Sequence, residues 1–126
     1  MSKPAAVSDS GPLIWLGRYG LLFLLRRHFN LVAIPTAVYA EVVEEGLKRS
    51  YPDAQATETA VGEGWIRVVG INAKSIEAVT RVEERLGVSL GLGEKQAIAL
   101  ALSMGARMVL TDDEDAAQVS KALKLK

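Results

Sequence analysis

The sequence contains no cysteine and a single histidine, His28. Disulfides and thiolate chemistry are therefore excluded, and zinc loses its usual ligands, because one imidazole cannot build a zinc cluster. Net charge is missing as well. Fifteen basic residues balance fifteen acidic ones, so no global field draws in nucleic acid, and such a partner must be met by local basic patches or bound cations. Long apolar runs are also lacking: the greasiest stretch, Leu13 to Leu25, is broken by Arg18 and falls short of the roughly 20 residues that a membrane helix needs. The stretch Met1 to Asp9 has no apolar core of the secretory kind. These absences predict a cytoplasmic chain with no membrane partner. What is present is a globular composition, 49% apolar and 24% charged over 126 residues, which predicts one domain spanning residues 1–126.

The order of elements reads as strand and helix in alternation. Ala5 to Ser8 is a short apolar strand closed by Asp9-Ser10-Gly11-Pro12, which opens a helix with Asp9 or Ser10 as cap and Pro12 in its first turn. Leu13 to Phe29 forms two helical pieces divided around Gly17 and Gly20. Leu31 to Ile34 is apolar throughout, the mark of a strand buried on both faces of a parallel sheet. A helix follows from Pro35, with Thr36 as cap, and runs to Gly46. Tyr51 to Gly64 holds Pro52-Asp53 as a turn and cap, then a weakly amphipathic helix that reads as a surface arm. Trp65 to Val69 gives a third strand, Ser75 to Leu86 a helix capped by Ser75, and Arg107 to Leu110 a fourth strand before a last helix from Glu114 to Leu123. Such alternation predicts an α/β domain with a parallel sheet of four strands, whose ligands gather beyond the carboxyl ends of the strands.

Acids fall at that edge. Asp9 follows the first strand, Glu41 lies on the helix after the second, Glu94 begins the helix after the Gly91-Leu92-Gly93 bend, and Asp112 and Asp113 follow the fourth strand. Each has a structural alternative as a cap, a partner of a helix dipole or a solvated flank. Together, however, clustered carboxylates repel one another unless hard cations hold them. All-oxygen donors favour Mg2+ or Mn2+. A pair of such ions about 4 Å apart suits phosphodiester cleavage.

Four blocks carry a family resemblance: Val7-Ser8-Asp9-Ser10-Gly11-Pro12-Leu13-Ile14, Ile34-Pro35-Thr36-Ala37-Val38-Tyr39-Ala40-Glu41-Val42, Leu92 to Ala101 and Val109-Leu110-Thr111-Asp112-Asp113. In this order they resemble the PIN-domain family, nearer to its predicted nucleic-acid-binding prokaryotic subgroup than to its best-known toxin branch. The resemblance implies a three-layer, Rossmann-like α/β/α fold and a Mg2+- or Mn2+-dependent ribonuclease, acting on RNA as a homodimer and, in many members, as the toxin of a toxin-antitoxin pair. Carried over by motif, Asp9, Glu41, Glu94 and Asp112 are the catalytic, metal-binding acids, with Asp113 an alternative for the last. Ser10 and Thr111 become substrate contacts within the site; Lys95, by its charge alone and not by the resemblance, could grip a phosphate near the metals.

PIN domains usually continue into a fifth strand, whereas this sequence stops at Lys121-Ala122-Leu123-Lys124-Leu125-Lys126. The resemblance therefore implies either a truncation or a missing final strand, with a sheet edge for another subunit to cover. Two other functions stay open on the residues alone: a non-catalytic protein- or RNA-binding module, and a receiver-like phosphorylatable acidic pocket. Arg18, Arg26, Arg27 and His28 could grip phosphates, and Trp15, Tyr19 and Tyr39 could stack bases, although solvated helix ends and core packing account for the same residues.

Overall fold

A computed structural model describes residues 3–125; Met1, Ser2 and Lys126, which the readings of the two termini include, lie outside them. Four strands, β1 (Ala5–Ser8), β2 (Leu31–Pro35), β3 (Ile66–Val69) and β4 (Val109–Leu110), form one sheet in the order β3-β2-β1-β4 with every pair parallel. The chain thus builds outwards from β1 to β3, then returns to add β4 on the other side of β1. That reversal leaves a crevice between the carboxyl ends of β1 and β4, the place where open parallel sheets bind ligands.

Side chains alternate across the two central strands, and this sets up the layers. Val7 and Ala33 face a core completed by α6 (Ala73–Leu86), α7 (Leu92–Met104) and α8 (Glu114–Ala122), through Val79, Val82, Ile98 and Val119. Val32 and Ile34 face the other way, onto α1 (Ser10–Arg18), α2 (Phe23–His28), α3 (Thr36–Tyr39) and α5 (Pro52–Glu63), through Leu13, Leu25, Val38 and Ala60. The expected three-layer α/β/α architecture is the one observed.

Several local expectations need correction. Helix α3 continues without a break through a π-helical turn, Ala40–Glu44, into α4 (Glu45–Lys48). Its cap position is Pro35 rather than Thr36, with no side-chain bond. Helix α6 is capped by Asn72, whose Oδ1 accepts the Ser75 N–H at 2.8 Å; Ser75 is the bonded residue and not the cap. The fourth strand is shorter than the apolar run suggests, although Met108 still accepts a bond from the Val7 N–H.

The expected helix is present as α5, with Tyr51 rather than Asp53 at its cap position, but it is not a surface arm, because one of its faces is buried. Asp53, Ala54, Thr57 and Ala60 are all buried. Two glycines admit it: a Cβ on Gly17 of α1 would lie 2.7 Å from the Asp53 Cβ, and one on Gly46 of α4 would lie 2.6 Å from the Ala54 Cβ. Small residues on both sides let the backbones approach more closely than side chains allow. A Gly17→Ala substitution is therefore expected to lower the free energy of unfolding by about 1–3 kcal/mol through overpacking, measured by urea denaturation. Gly62→Ala, at a helical position with open space around it, serves as the control and leaves stability unchanged or slightly raised.

Candidate active site

Asp9 leaves the end of β1 and serves as the N-cap of α1, its Oδ1 accepting the Ser10 N–H at 2.7 Å. Its other oxygen accepts from Thr111 Oγ1 at 3.2 Å, across the β1–β4 crevice. Thr111 is tied in turn by the Asp113 N–H, which donates to its Oγ1 at 3.1 Å. Asp9 is 5% exposed, and its pKa is raised. Burial is the main cause, bonds from Ser10 and Thr111 oppose it, and the charges of Glu41 and Asp112 raise it further.

Glu41 reaches the same place from another layer. It lies in the π-helical turn, and Ser10 Oγ donates to its Oε2 at 2.6 Å. Extra residues of this kind inside helices are frequent at functional sites, because they re-aim the side chains of the next turn. Glu94 is the third residue of α7, and its Oε1 accepts the N–H of Gly91 at 2.7 Å, which fastens the Gly-rich bend to the helix it opens. Its pKa is also raised: burial leads, the Gly91 N–H opposes, and Asp113 and Asp9 add repulsion. Asp112 stands beside Gly11, where a Cβ would collide with its carboxylate. Asp113 caps α8 through the Ala116 N–H, at 2.8 Å, while bearing electrostatically on Glu94.

One cleft of about 500 Å³ is lined by Asp9, Ser10, Glu41, Glu94 and Asp112, with Gly93 among its walls. Five of the residues singled out in the sequence thus share a surface. Thr111 and Asp113 adjoin it through Asp9 and Glu94. Lys95 does not: its Nζ lies 2.8 Å from Glu83 Oε1, in an ion pair only 10% exposed on the Glu83 side. The Leu90 N–H donates to the other Glu83 oxygen at 2.8 Å. Burial pushes the Glu83 carboxyl upward, but the Leu90 N–H and Lys95 outweigh it and hold the pKa below the usual value.

Four further residues shape the cleft, of which Gly11, Gly93 and Gln96 stand in motifs that the sequence singles out and Glu83 does not. Gly11 makes room for Asp112, and Gly93 brings the first turn of α7 against Glu41 Oε2 and Asp9 Oδ1, where a Cβ would lie at 3.4 and 3.6 Å. Gln96 Oε1 accepts the Ala37 N–H at 3.1 Å, joining α7 to the helix that carries Glu41. Glu83 fixes the approach to Gly91 from behind. The glycines could have been suspected from their place beside acids; the Gln96 and Glu83 contacts join segments distant in sequence.

Every donor in this cleft is an oxygen, and His28 is not among its residues. Burial leads in raising the pKa of Asp9 and Glu94, and repulsion from neighbouring carboxylates adds to it; a hard divalent cation relieves both. The donor set therefore fits Mg2+ or Mn2+. Among the described residues, no three such side chains are already grouped as around a bound ion. Three of the four carboxylates are turned instead to protein donors: Asp9 and Glu41 to Ser10, and Glu94 to Gly91.

A parallel sheet with an acid-lined crevice at its reversal point defines a Rossmann-like α/β class. The family model described as PIN domain (DUF3368) matches residues 5–126, and the chain belongs to the PIN-domain family. No curated protein matches it. Among solved structures, VapBC-1 from nontypeable Haemophilus influenzae is similar with a TM-score of 0.68 and 14% identity, over 97% of this chain and 96% of that one. VapC20 of Mycobacterium tuberculosis, a sarcin-ricin loop cleaving toxin, gives 0.65 and 16% over 90% and 93%. VapBC2 from Rickettsia felis, bound to a DNA fragment from their promoter, gives 0.63 and 14% over 91% and 92%. At such identities the likeness is one of fold. Among the described residues no helix is long and apolar enough to cross a membrane.

Two stability effects follow from these environments. The raised folded-state pKa of Asp9 makes its contribution fully present below the unfolded value and lost as pH rises through the folded one. In metal-free buffer, Asp9→Asn is therefore expected to be more stable than the parent at pH 7, by a margin that shrinks towards about pH 4. Glu83 has the opposite sign, so its contribution holds above the unfolded pKa and is lost as pH falls. Glu83→Gln is expected to cost about 2 kcal/mol at pH 7 and progressively less in acid. Thermal melts across pH check both.

Proposed function

We propose that the chain is a metal-dependent ribonuclease of the PIN type, and that residues 1–126 act as one domain. The observation that carries this reading is the meeting of Asp9, Glu41, Glu94 and Asp112 in one cleft at the reversal point of the sheet. Membership of the PIN-domain family and similarity to a toxin that cleaves the sarcin-ricin loop support RNA as the substrate. Similarity to VapBC structures supports a place in a toxin-antitoxin pair, with an antitoxin protein as partner. The same reading takes the protein as a cytoplasmic homodimer.

Asp9, Glu41, Glu94 and Asp112 would hold one or two Mg2+ or Mn2+ ions, with Asp113 available beside Glu94. Such an ion supplies a water made acidic enough to attack at neutral pH and a positive charge that offsets the phosphate. The remaining work belongs to the protein. Ser10 orients two carboxylates at once, donating its N–H to Asp9 and its hydroxyl to Glu41. Thr111 holds the second oxygen of Asp9. Gly93 brings the first turn of α7 against Glu41 and Asp9, and the Glu83–Lys95 pair keeps that turn in place. Hydrolysis adds water across the phosphodiester, breaks the P–O3′ bond and leaves a 3′-hydroxyl and a 5′-phosphate.

Purified protein is expected to cleave single-stranded RNA with Mg2+ or Mn2+ and to lose activity in chelator. Asp9→Asn should lower the rate by about a hundredfold or more, the scale of losing a group that organises transition-state charge, while the fold persists. Tight RNA binding without turnover at any divalent concentration would instead favour a non-catalytic RNA-binding module. Equal cleavage by the variant would overturn the assignment of Asp9.

A further inference from the structure

The chain is neutral overall, but its charge is not evenly spread. Between Asp9 and Glu41 there is no acidic residue, while Arg18, Arg26, Arg27 and His28 all fall within this stretch. The stretch builds α1 and α2, and α1 begins at the cleft itself.

On these helices large aromatics stand in solvent. Trp15 is 52% exposed and Tyr19 62%, and their rings are stacked, with centroids 5.8 Å apart and planes within 14°. The Arg18 guanidinium lies over the Trp15 ring at 5.5 Å, and that of Arg27 over the exposed ring of Phe23 at 5.3 Å. Arg26 lies 3.9 Å from Glu63. Arg18 and Arg27 have no ion-pair partner among the described residues. A surface meant only to bury itself would place its rings inward, as Trp65 does on the same side of the sheet.

We propose that Trp15, Arg18 and Tyr19 form a stacking platform for the single-stranded RNA that runs out of the acid cleft; this rests on the ribonuclease reading. Flat rings accept nucleobases of any identity, and unpaired guanidinium groups beside them accept phosphates. Position gives the second support. Ile14 and Glu41 line both the cleft and a neighbouring depression of about 290 Å³, and that depression reaches Arg18. A strand with its scissile phosphate at Asp9 can therefore reach Arg18, whose guanidinium lies over Trp15, on which Tyr19 stacks. Double-stranded RNA, with its bases engaged, does not fit such a surface.

Tryptophan emission gives a direct readout, because the second tryptophan, Trp65, is only 9% exposed. Titrating single-stranded RNA into the Asp9→Asn variant is expected to quench the emission, and Trp15→Phe to remove the quench. Tyr19→Ala and Arg18→Gln, each in the Asp9→Asn background, should weaken binding about tenfold, and Arg18→Gln should lower the salt slope of binding by about one. Duplex RNA of the same sequence should quench far less. If RNA is cleaved by the parent protein but binds without quenching, and the two platform variants bind as tightly as their background, the platform is wrong and the nuclease stands. Quenching and variant effects in a protein that never cleaves would support the platform while removing the nuclease. Emission that responds to protein concentration, and not to RNA, would overturn it in favour of contact with a second copy.

Discussion

A carboxylate at the end of a buried strand is an unfavourable thing to fold around, and Asp9 is that carboxylate. It sits at the tip of β1, one of the two inner strands of the sheet, within the influence of Glu41 and Asp112. Two hydrogen bonds, from Ser10 and Thr111, offset the burial only in part, since the group still titrates above its ordinary range. The surrounding contacts are arranged to hold this charge in place, and they do not move it towards solvent.

Those contacts tie together parts of the chain far apart in sequence. Ser10 links β1 to the helix after β2 through Glu41. Gln96 links that helix to α7, and Thr111 links the segment after β4 back to Asp9. Glycine is required at Gly11, where a Cβ would fall within the Asp112 carboxylate, while at Gly93 a Cβ would come within ordinary contact distance of Glu41 and Asp9. The cleft is thus held by short polar bonds and close backbone approach around an acidic centre, on a sheet whose two faces are both covered by helices.

Much of this was legible in the sequence because it depends on local pattern. The apolar run Leu31 to Ile34 announced a central strand. The acid after each of two strands followed from chain order, and the Gly-rich bend before Glu94 marked a helix start. The parts that were hidden depend on tertiary contact. No residue in Ala40–Glu44 signals a π-helical turn, and α5 looks like a surface arm until Gly17 and Gly46 are seen against Asp53 and Ala54. Spacing could not divide the roles of Asp112 and Asp113; the structure has the first beside Gly11 and the second capping α8. Lys95 read as a phosphate contact because it follows Glu94, but helical geometry turns consecutive side chains about 100° apart, and it meets Glu83 instead.

The central claim is that these separated carboxylates jointly hold a small hard ion. Its most direct measurement is anomalous scattering from crystals of the protein soaked in manganese. The account predicts a peak inside the cleft, bounded by Asp9 and by at least two of Glu41, Glu94 and Asp112, with Glu41 or Glu94 turned away from its present donor. Manganese bound only elsewhere, or a cleft that stays empty at saturating metal with the carboxylates still on Ser10 and Gly91, would contradict it.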